Sequence, residues 1–381
     1  MDDSVLPTHF ADAPWRRKFA RQLLAWFGEN QRQLPWRGTR DLYRIWISEI
    51  MLQQTQVATV IPYYERFLQS FPDVTTLAAA EEEAVLRHWE GLGYYRRARQ
   101  LHAAARKIVQ EHDGRFPSEY DDVLALPGIG RYTAGAILSI GQDQRLPILE
   151  ANTIRLLSRL ALYSGETNST AGQNLLWQAA QQILPAQKVG LFNQALMELG
   201  SLLCTPQAPA CATCPVAQLC PARRLGLQDQ IPAPKKPKLY EEVTEAVVVV
   251  RRDEKVLLRR CESGERWAGL WDFPRCSLDA VDEGERLREL KKKVVAQTSV
   301  EFTGTRMLTT LRHGVTRYRI TLKCYEARYV ARKGKSLPNA PSSEQAWFSV
   351  AQIQALPLNV TARKIALLIA SNSHPSSLAR A

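Results

Sequence analysis

No stretch of this 381-residue chain approaches the ~20 consecutive apolar residues that cross a bilayer, so a helical membrane protein is excluded. The first residues, MDDSVLPTHFADAPWRRKF, are acidic and broken by prolines, which speaks against a secretory leader. The expectation is therefore a cytoplasmic protein, with the Asn168-Ser-Thr sequon a chance match. No internal repeat recurs. Acidic residues are in deficit, 38 Asp+Glu against 50 Lys+Arg, for a formal charge of +12. The deficit is uneven: residues 1–230 hold 23 basic and 22 acidic side chains, and residues 231–381 hold 27 and 16. A surplus confined to one part points to a polyanionic partner for that part, with ordinary surface charge as the alternative. The hydrophobic share of 45% and charged share of 23% are those of a globular chain long enough for two domains.

Residues 14–222 read as successive helices, with apolar residues at helical spacing in Phe19–Phe27, Ile45–Phe67, Val85–His88, Leu101–Val109, Ala134–Ile140 and Ile154–Leu162. At 226–240 the text becomes Pro- and Lys-rich (IPAPKKPK), which predicts an extended linker. Beyond it, EAVVVVRRDEKVLLRR and RYRITLKCYEARYV read as strands, so residues 241–370 form a smaller α+β domain. Residues 371–381 are expected to be a disordered tail.

Four of the seven cysteines, Cys204, Cys211, Cys214 and Cys220, fall within seventeen residues as C-x6-C-x2-C-x5-C. In a reducing compartment such a group argues for a metal centre, either zinc or an iron–sulfur cluster. One compact loop with unequal gaps fits wrapping around a single [4Fe–4S] cluster better than the two separated pairs zinc usually takes. The loop, 204–220, resembles the iron–sulfur loop of endonuclease III and its relatives. Cys261, Cys276 and Cys324 lack ligand spacing and read as core thiols.

Leu126-Pro-Gly-Ile-Gly-Arg-Tyr-Thr-Ala134 lies between helical segments. Gly128 and Gly130 let the backbone turn and approach another backbone, and the following helix N-terminus favours a phosphate. A PGxG turn alone is equally a plain helix–helix connection. Beside the cysteine loop it resembles the helix-hairpin-helix of the DNA glycosylase superfamily, spanning about 120–142 within a glycosylase domain of 1–225. The bifunctional lyases of that superfamily carry a Schiff-base lysine where this chain has Tyr132. A phenol cannot form an imine, so the resemblance implies a monofunctional hydrolase.

Glu49, Gln53 and Gln56 fall at i, i+4 and i+7 of an otherwise apolar helix, predicting either a hydrogen-bonding stripe or a desolvated general acid. The run from Leu34-Pro-Trp-Arg37 through SEIMLQQTQVATVIPYYERF to Gly91-Leu-Gly-Tyr-Tyr95 resembles the MutY family of adenine DNA glycosylases. With the hairpin, the cysteine loop and the C-terminal part, the likeness covers about residues 14–350. It implies Glu49 as the acid that protonates adenine, Tyr132 as the active-site tyrosine and Asn152 beside the sugar. It further implies Gln194 at the extruded base, Gln54, Leu92 and Tyr94 as the wedge facing 8-oxoguanine, and Arg37, Gly128 and Gly130 on DNA.

Two departures stand out. The family's aspartate is replaced by Glu150 in Pro147-Ile-Leu-Glu-Ala-Asn-Thr153, one carbon–carbon bond longer, about 1.5 Å. The family's Phe-Ser-His loop is replaced by Val315-Thr316-Arg317, in which Thr316 keeps a hydroxyl but no histidine remains. Trp267-Ala-Gly-Leu-Trp-Asp-Phe-Pro274 resembles the Nudix-like recognition domain of the same family, yet Arg288-Glu-Leu-Lys-Lys-Lys293 lacks the paired acids that hold Mg²⁺ for pyrophosphate hydrolysis. Those lysines read equally as phosphate contacts or a solvated face.

The expected fold is thus a mainly α helix-hairpin-helix glycosylase domain with an iron–sulfur loop, followed by a smaller α+β Nudix-like domain. The expected function is removal of adenine opposite 8-oxoguanine or guanine in double-stranded DNA, by a monomer working in the nucleoid. The alternatives are a mispair-binding protein whose catalysis Glu150 has weakened, or an endonuclease III-like glycosylase for another base.

Overall fold

The computed structural model describes residues 5–233, 239–280, 282–330 and 345–372. They form two compact units, Met1–Ala80 with Arg99–Lys236 and Glu81–Ala98 with Pro237–Ala381. The C-terminal break falls in the expected linker, of which residues 234–238 lie outside the described residues. Residues 81–98 interrupt the helical unit in sequence but pack with the C-terminal unit, an exchange that no hydrophobic period announces.

In the first unit the apolar repeats become helices, among them Ala13–Asn30, Leu42–Leu52, Tyr120–Leu124, Arg131–Gln142, Ala151–Ala161, Thr170–Ile183 and Val189–Leu202. Asp12, Asp41 and Ser169 start three of them by accepting backbone N–H groups with their side chains. Phe19, Leu23, Phe27, Leu156, Leu160, Leu176, Phe192 and Leu196 share one core. The recurrence expected from Ile45 to Phe67 is two helices, because the first ends at Leu52 and the second, Val57–Ser70, begins with Gln56 as its N-cap. The stripe read through Glu49, Gln53 and Gln56 therefore fails at its third member, which is exposed.

The second unit is built on a seven-stranded sheet: β1 (Glu241–Arg252), β2 (Lys255–Arg260), β3 (Trp271–Asp272), β4 (Arg275–Ser277), β5 (Phe302–Val315), β6 (Tyr318–Tyr329) and β7 (Gln345–Ser349). The path runs β3-β2-β1-β6-β5, with β4 on β1 and β7 on β2. Only β1 and β6 run parallel among these pairs. Ala246, Val248 and Val250 pack with Leu290 and Val294 of the helix Glu283–Thr298, while Val247 and Val249 pack with Ile365 and Ile369 of the helix Val360–Asn372. That two-sided burial explains the unbroken apolar run. The last helix also takes in Ser371 and Asn372, assigned to the tail by sequence; residues 373–381 lie outside the described residues. Cys261 and Cys324 are buried and Cys276 packs against one sheet face, as core thiols should.

Candidate active site

The helix Leu42–Leu52 carries Glu49 into the first unit, where only 6% of the residue is exposed. Tyr132, in the first turn of the helix Arg131–Gln142, donates its hydroxyl hydrogen to Glu49 Oε2 at 2.7 Å. Burial pushes the Glu49 carboxyl up to about 7, and nearby Glu150 pushes the same way, against the opposing pull of the Tyr132 hydroxyl and Arg37. Tyr132 is held well above its ordinary value, chiefly by burial, so the phenol stays protonated.

Glu150 is the N-cap of the helix Ala151–Ala161. Its Oε2 accepts from Asn152 N at 2.8 Å and its Oε1 from Thr153 N at 2.9 Å, while Thr153 Oγ1 accepts from Glu150 N at 2.8 Å. The extra methylene is thus folded back into a capping box. Burial raises the Glu150 carboxyl, but the two N–H donors and Arg155 pull it down. Of the two carboxylates, both raised by burial, Glu150 is the one whose ionised form is hydrogen-bonded by backbone N–H groups. Asn152 Oδ1 accepts from Arg155 Nη2 at 3.0 Å, and the same guanidinium reaches Gly200 O and Cys204 O at 2.6 Å. Gly200 is required there: a Cβ would sit 2.7 Å from Asn152 Cβ.

Glu49, Tyr132, Glu150, Asn152, Gln54 and Gln194 line one cleft of about 610 Å³. Arg37 lines it too, with its guanidinium on Glu198 at 2.8 Å rather than directed outward. Glu198, 1% exposed, also holds Arg32 through both oxygens, at 2.9 and 2.8 Å. Sequence reasoning missed Glu198, Arg32 and Arg155; a buried acid amid the apolar text LFNQALMELG was the available signal for the first. Gln54, just past the end of the Glu49 helix, is exposed and left-handed at φ 58°, costly for a residue with a side chain.

The hairpin is present between Tyr120–Leu124 and Arg131–Gln142. Gly128 needs its glycine, with φ +80° and Gln100 Cβ only 2.8 Å from any added Cβ. Gly130 differs: it caps the helix in extended backbone, and a Cβ would meet nothing within 4 Å.

The four clustered cysteines line one cavity with Leu156, Leu160 and Val216. Arg159, 2% exposed, donates to Cys204 Sγ at 3.0 Å and to Thr205 O at 2.9 Å. Among the described residues no three His, Cys, Asp or Glu side chains are gathered as a single-ion site. Sulfurs on a cavity wall beside a buried cation suit an anionic group that places its own atoms between them.

In the second unit, Tyr94 and Thr316 line a cavity of about 500 Å³ with Arg266, Trp267, His313 and Lys364. Both are left-handed, at φ 49° and 52°, and Tyr94 is 50% exposed. Leu92 is buried instead, so Tyr94 is the exposed member of that pair. Both ring nitrogens of His313 are buried and have no hydrogen-bond partner among the described residues. On the helix Glu283–Thr298, Lys293 pairs with Glu289 at 2.6 Å, and Lys291 and Lys292 are exposed.

A family model for the HhH-GPD superfamily base excision DNA repair proteins matches residues 47–182, and one for the NUDIX domain matches 246–367. The chain is 44% identical over 249 residues to an adenine DNA glycosylase of Mus musculus, covering 62% of this chain and 48% of that one. It therefore spans about half the length of that relative. An adenine DNA glycosylase of Buchnera aphidicola subsp. Schizaphis graminum is 38% identical over 257 residues, 67% of this chain and 74% of its own. Among solved structures, a thermostable thymine-DNA glycosylase superposes with a TM-score of 0.52 at 28% identity, over 56% of this chain and 98% of that one. Glu49 and Tyr132 joined across a buried cleft, the hairpin beside them and these likenesses agree: the chain belongs to the adenine DNA glycosylase family.

Proposed function

We propose that the chain is a monofunctional DNA glycosylase that hydrolyses the N-glycosidic bond of adenine mispaired with 8-oxoguanine or guanine in double-stranded DNA. The supporting observation is a pair of carboxylates in one cleft with different hydrogen-bond partners. Glu49, near 7 and tethered by Tyr132, is a proton donor at neutral pH, and Glu150, at a helix N-terminus, is the anion. Glu49 gives its proton to the extruded adenine, the C–N bond breaks with its electron pair leaving on the base, and Glu150 faces the resulting sugar cation. Water adds to that carbon, and the proton it releases returns to Glu49. Two carboxylates in these roles parallel glycoside hydrolysis.

Tyr94 and Thr316 are the residues assigned to the widowed base, their strained backbone supporting that reading, and Gln54 is assigned to the duplex at the cleft of its own unit. Leu92 shares the turn of Tyr94 but is buried, and Asn152 and Gln194 hold the sugar and base sides of the cleft. Gly128, Gly130 and the following helix N-terminus take backbone phosphate. Arg37 contributes from the cleft wall through its charge on Glu49. Cys204, Cys211, Cys214 and Cys220 would hold one [4Fe–4S] cluster, which supplies a fixed loop and no step of the hydrolysis. The enzyme acts as a monomer on nucleoid DNA.

Single-turnover adenine release from duplexes with A opposite 8-oxoguanine, G or C tests the reading. Glu49→Gln is expected to lower release from A:8-oxoguanine by at least ~10²-fold, as loss of a positioned general acid does. Wild-type release that Glu49→Gln leaves unchanged would refute it. Tight, selective binding without release would favour the mispair-binding reading, and Glu150→Asp would then be the variant that restores turnover.

A further inference from the structure

The turn that carries Tyr94 is held from the far end of the chain. Gly91-Leu92-Gly93-Tyr94 follows the helix Glu82–His88 with φ of 101° at Gly91, 73° at Gly93 and 49° at Tyr94, a run that local preference does not sustain for tyrosine. Just before it, Glu90 is gripped by Arg363 of the last helix: Nε donates to Oε1 at 2.6 Å and Nη2 to Oε2 at 2.8 Å. The other Arg363 hydrogens go to the carbonyls of Ile353, Gln354 and Leu356 at the end of the helix Val350–Ala355, at 3.2, 3.3 and 2.7 Å. Arg363 therefore faces inward on all sides and is unsuited to contact DNA. Tyr95 adds a second tie, accepting from Gly91 N at 3.2 Å and donating to Leu358 O at 3.5 Å. Within the turn, Arg97 donates to Leu92 O and Gly93 O, and its guanidinium lies 5.6 Å from the Tyr94 ring.

We infer that Arg363 is a positioning residue for recognition of the base opposite adenine: its fork on Glu90 fixes the Gly91–Tyr94 turn so that Tyr94 lines the same cavity as Thr316. The inference rests on the proposed function for its kinetic consequence, and not for the clamp itself. A guanidinium fork sets both distance and plane, which an ammonium on the same stem cannot. A role in folding alone would weaken all substrates together.

Two measurements decide it on the full chain. Hydrogen exchange without DNA reads the clamp: Arg363→Lys and, separately, Glu90→Gln should speed exchange of amides 91–97 while leaving the helix Leu42–Leu52 protected. Unchanged exchange at 91–97 overturns the inference whatever the enzyme's substrate. The second measurement is the ratio of kcat/KM for A:8-oxoguanine over A:G. Arg363→Lys should lower it about tenfold, within the range for residues coupled in one network. In a Tyr94→Ala background the same substitution should do little. An equal fall on both duplexes, or an undiminished effect without Tyr94, also overturns the inference. A wild type that releases adenine from neither duplex refutes the proposed function and leaves the exchange result to decide the clamp.

Discussion

Glu49 and Glu150 line one cleft, yet their surroundings differ in the one respect that sorts them. Among the described residues Glu49 accepts one side-chain hydrogen bond, from the Tyr132 phenol, whereas Glu150 accepts from two backbone donors at the start of a helix. Glu49, raised to about 7 from an ordinary 4.5, binds its proton more tightly folded than unfolded. The stability this confers is full below about 4.5 and is lost as pH rises through 7, on the order of 3 kcal/mol in all. Base release should fall along the same limb, since the ionised acid has no proton to give. Glu49→Gln is thus expected to be nearly inactive at every pH yet to melt higher than wild type at pH 8.5 and not at pH 4.5, measured by calorimetry at both. A wild-type rate that is flat from pH 6 to 9 would contradict the assignment of Glu49 as the acid. Sequence spacing could nominate Glu49 but not its charge state, because burial is a property of the packed cleft. Glu150 was legible as a departure, whereas its two-oxygen capping box was not: that depends on the extra methylene folding back.

At the scale of elements, periodicity was a good guide wherever one helix met one core, and it failed where chain direction changed. Phe19–Phe27 and Leu101–Val109 lie in helices as their spacing requires, and Ile154–Leu162 does so up to Ala161, with Leu162 the left-handed C-cap. The run from Ile45 to Phe67 breaks at residues 53–56, since its apolar spacing continues into the next helix while the backbone at Gln54 turns left-handed. In the hairpin, the two glycines that look alike in sequence have different reasons to be glycine. Gly128 is fixed by its φ and by Gln100, but Gly130 has neither constraint. Gly130→Ala should therefore leave the melting temperature within about 2 °C of wild type, as for a substitution away from any strained or packed site. It should weaken duplex binding several-fold, because the added methyl occupies the approach of a phosphate to the helix N-terminus. Fluorescence anisotropy with a non-specific duplex reads the second quantity. A binding constant equal to wild type would reduce this loop to a plain connection between helices.

For the whole molecule, the uneven charge gains a location. The surplus of the C-terminal residues includes Lys291 and Lys292, exposed on the helix Glu283–Thr298, whereas Arg363, Arg275 and Arg259 are paired with Glu90, Asp272 and Glu265 inside the fold. Net charge in the sequence could not separate these classes, because a paired arginine and a solvated lysine count alike. If the exposed lysines meet phosphates, Lys291→Gln with Lys292→Gln should make the slope of log affinity against log salt shallower by about 2. An unchanged slope would leave them as ordinary surface. Domain boundaries were legible only in part: the Pro/Lys stretch marks one, but nothing in the text around residues 81–98 marks their packing with the C-terminal unit.

That packing makes the two halves of the chain thermodynamic hostages to each other. A chain cut in the linker would yield two pieces, the first of which still contains Glu90 and Tyr95 while the second contains their partners Leu358 and Arg363. The pieces would behave as a complementing pair, held in register by the Glu90 fork and by the hydrogen bonds around Leu358. A truncation at the same point is consequently not a clean removal of one module: it strips the support from a turn that the remaining piece still carries.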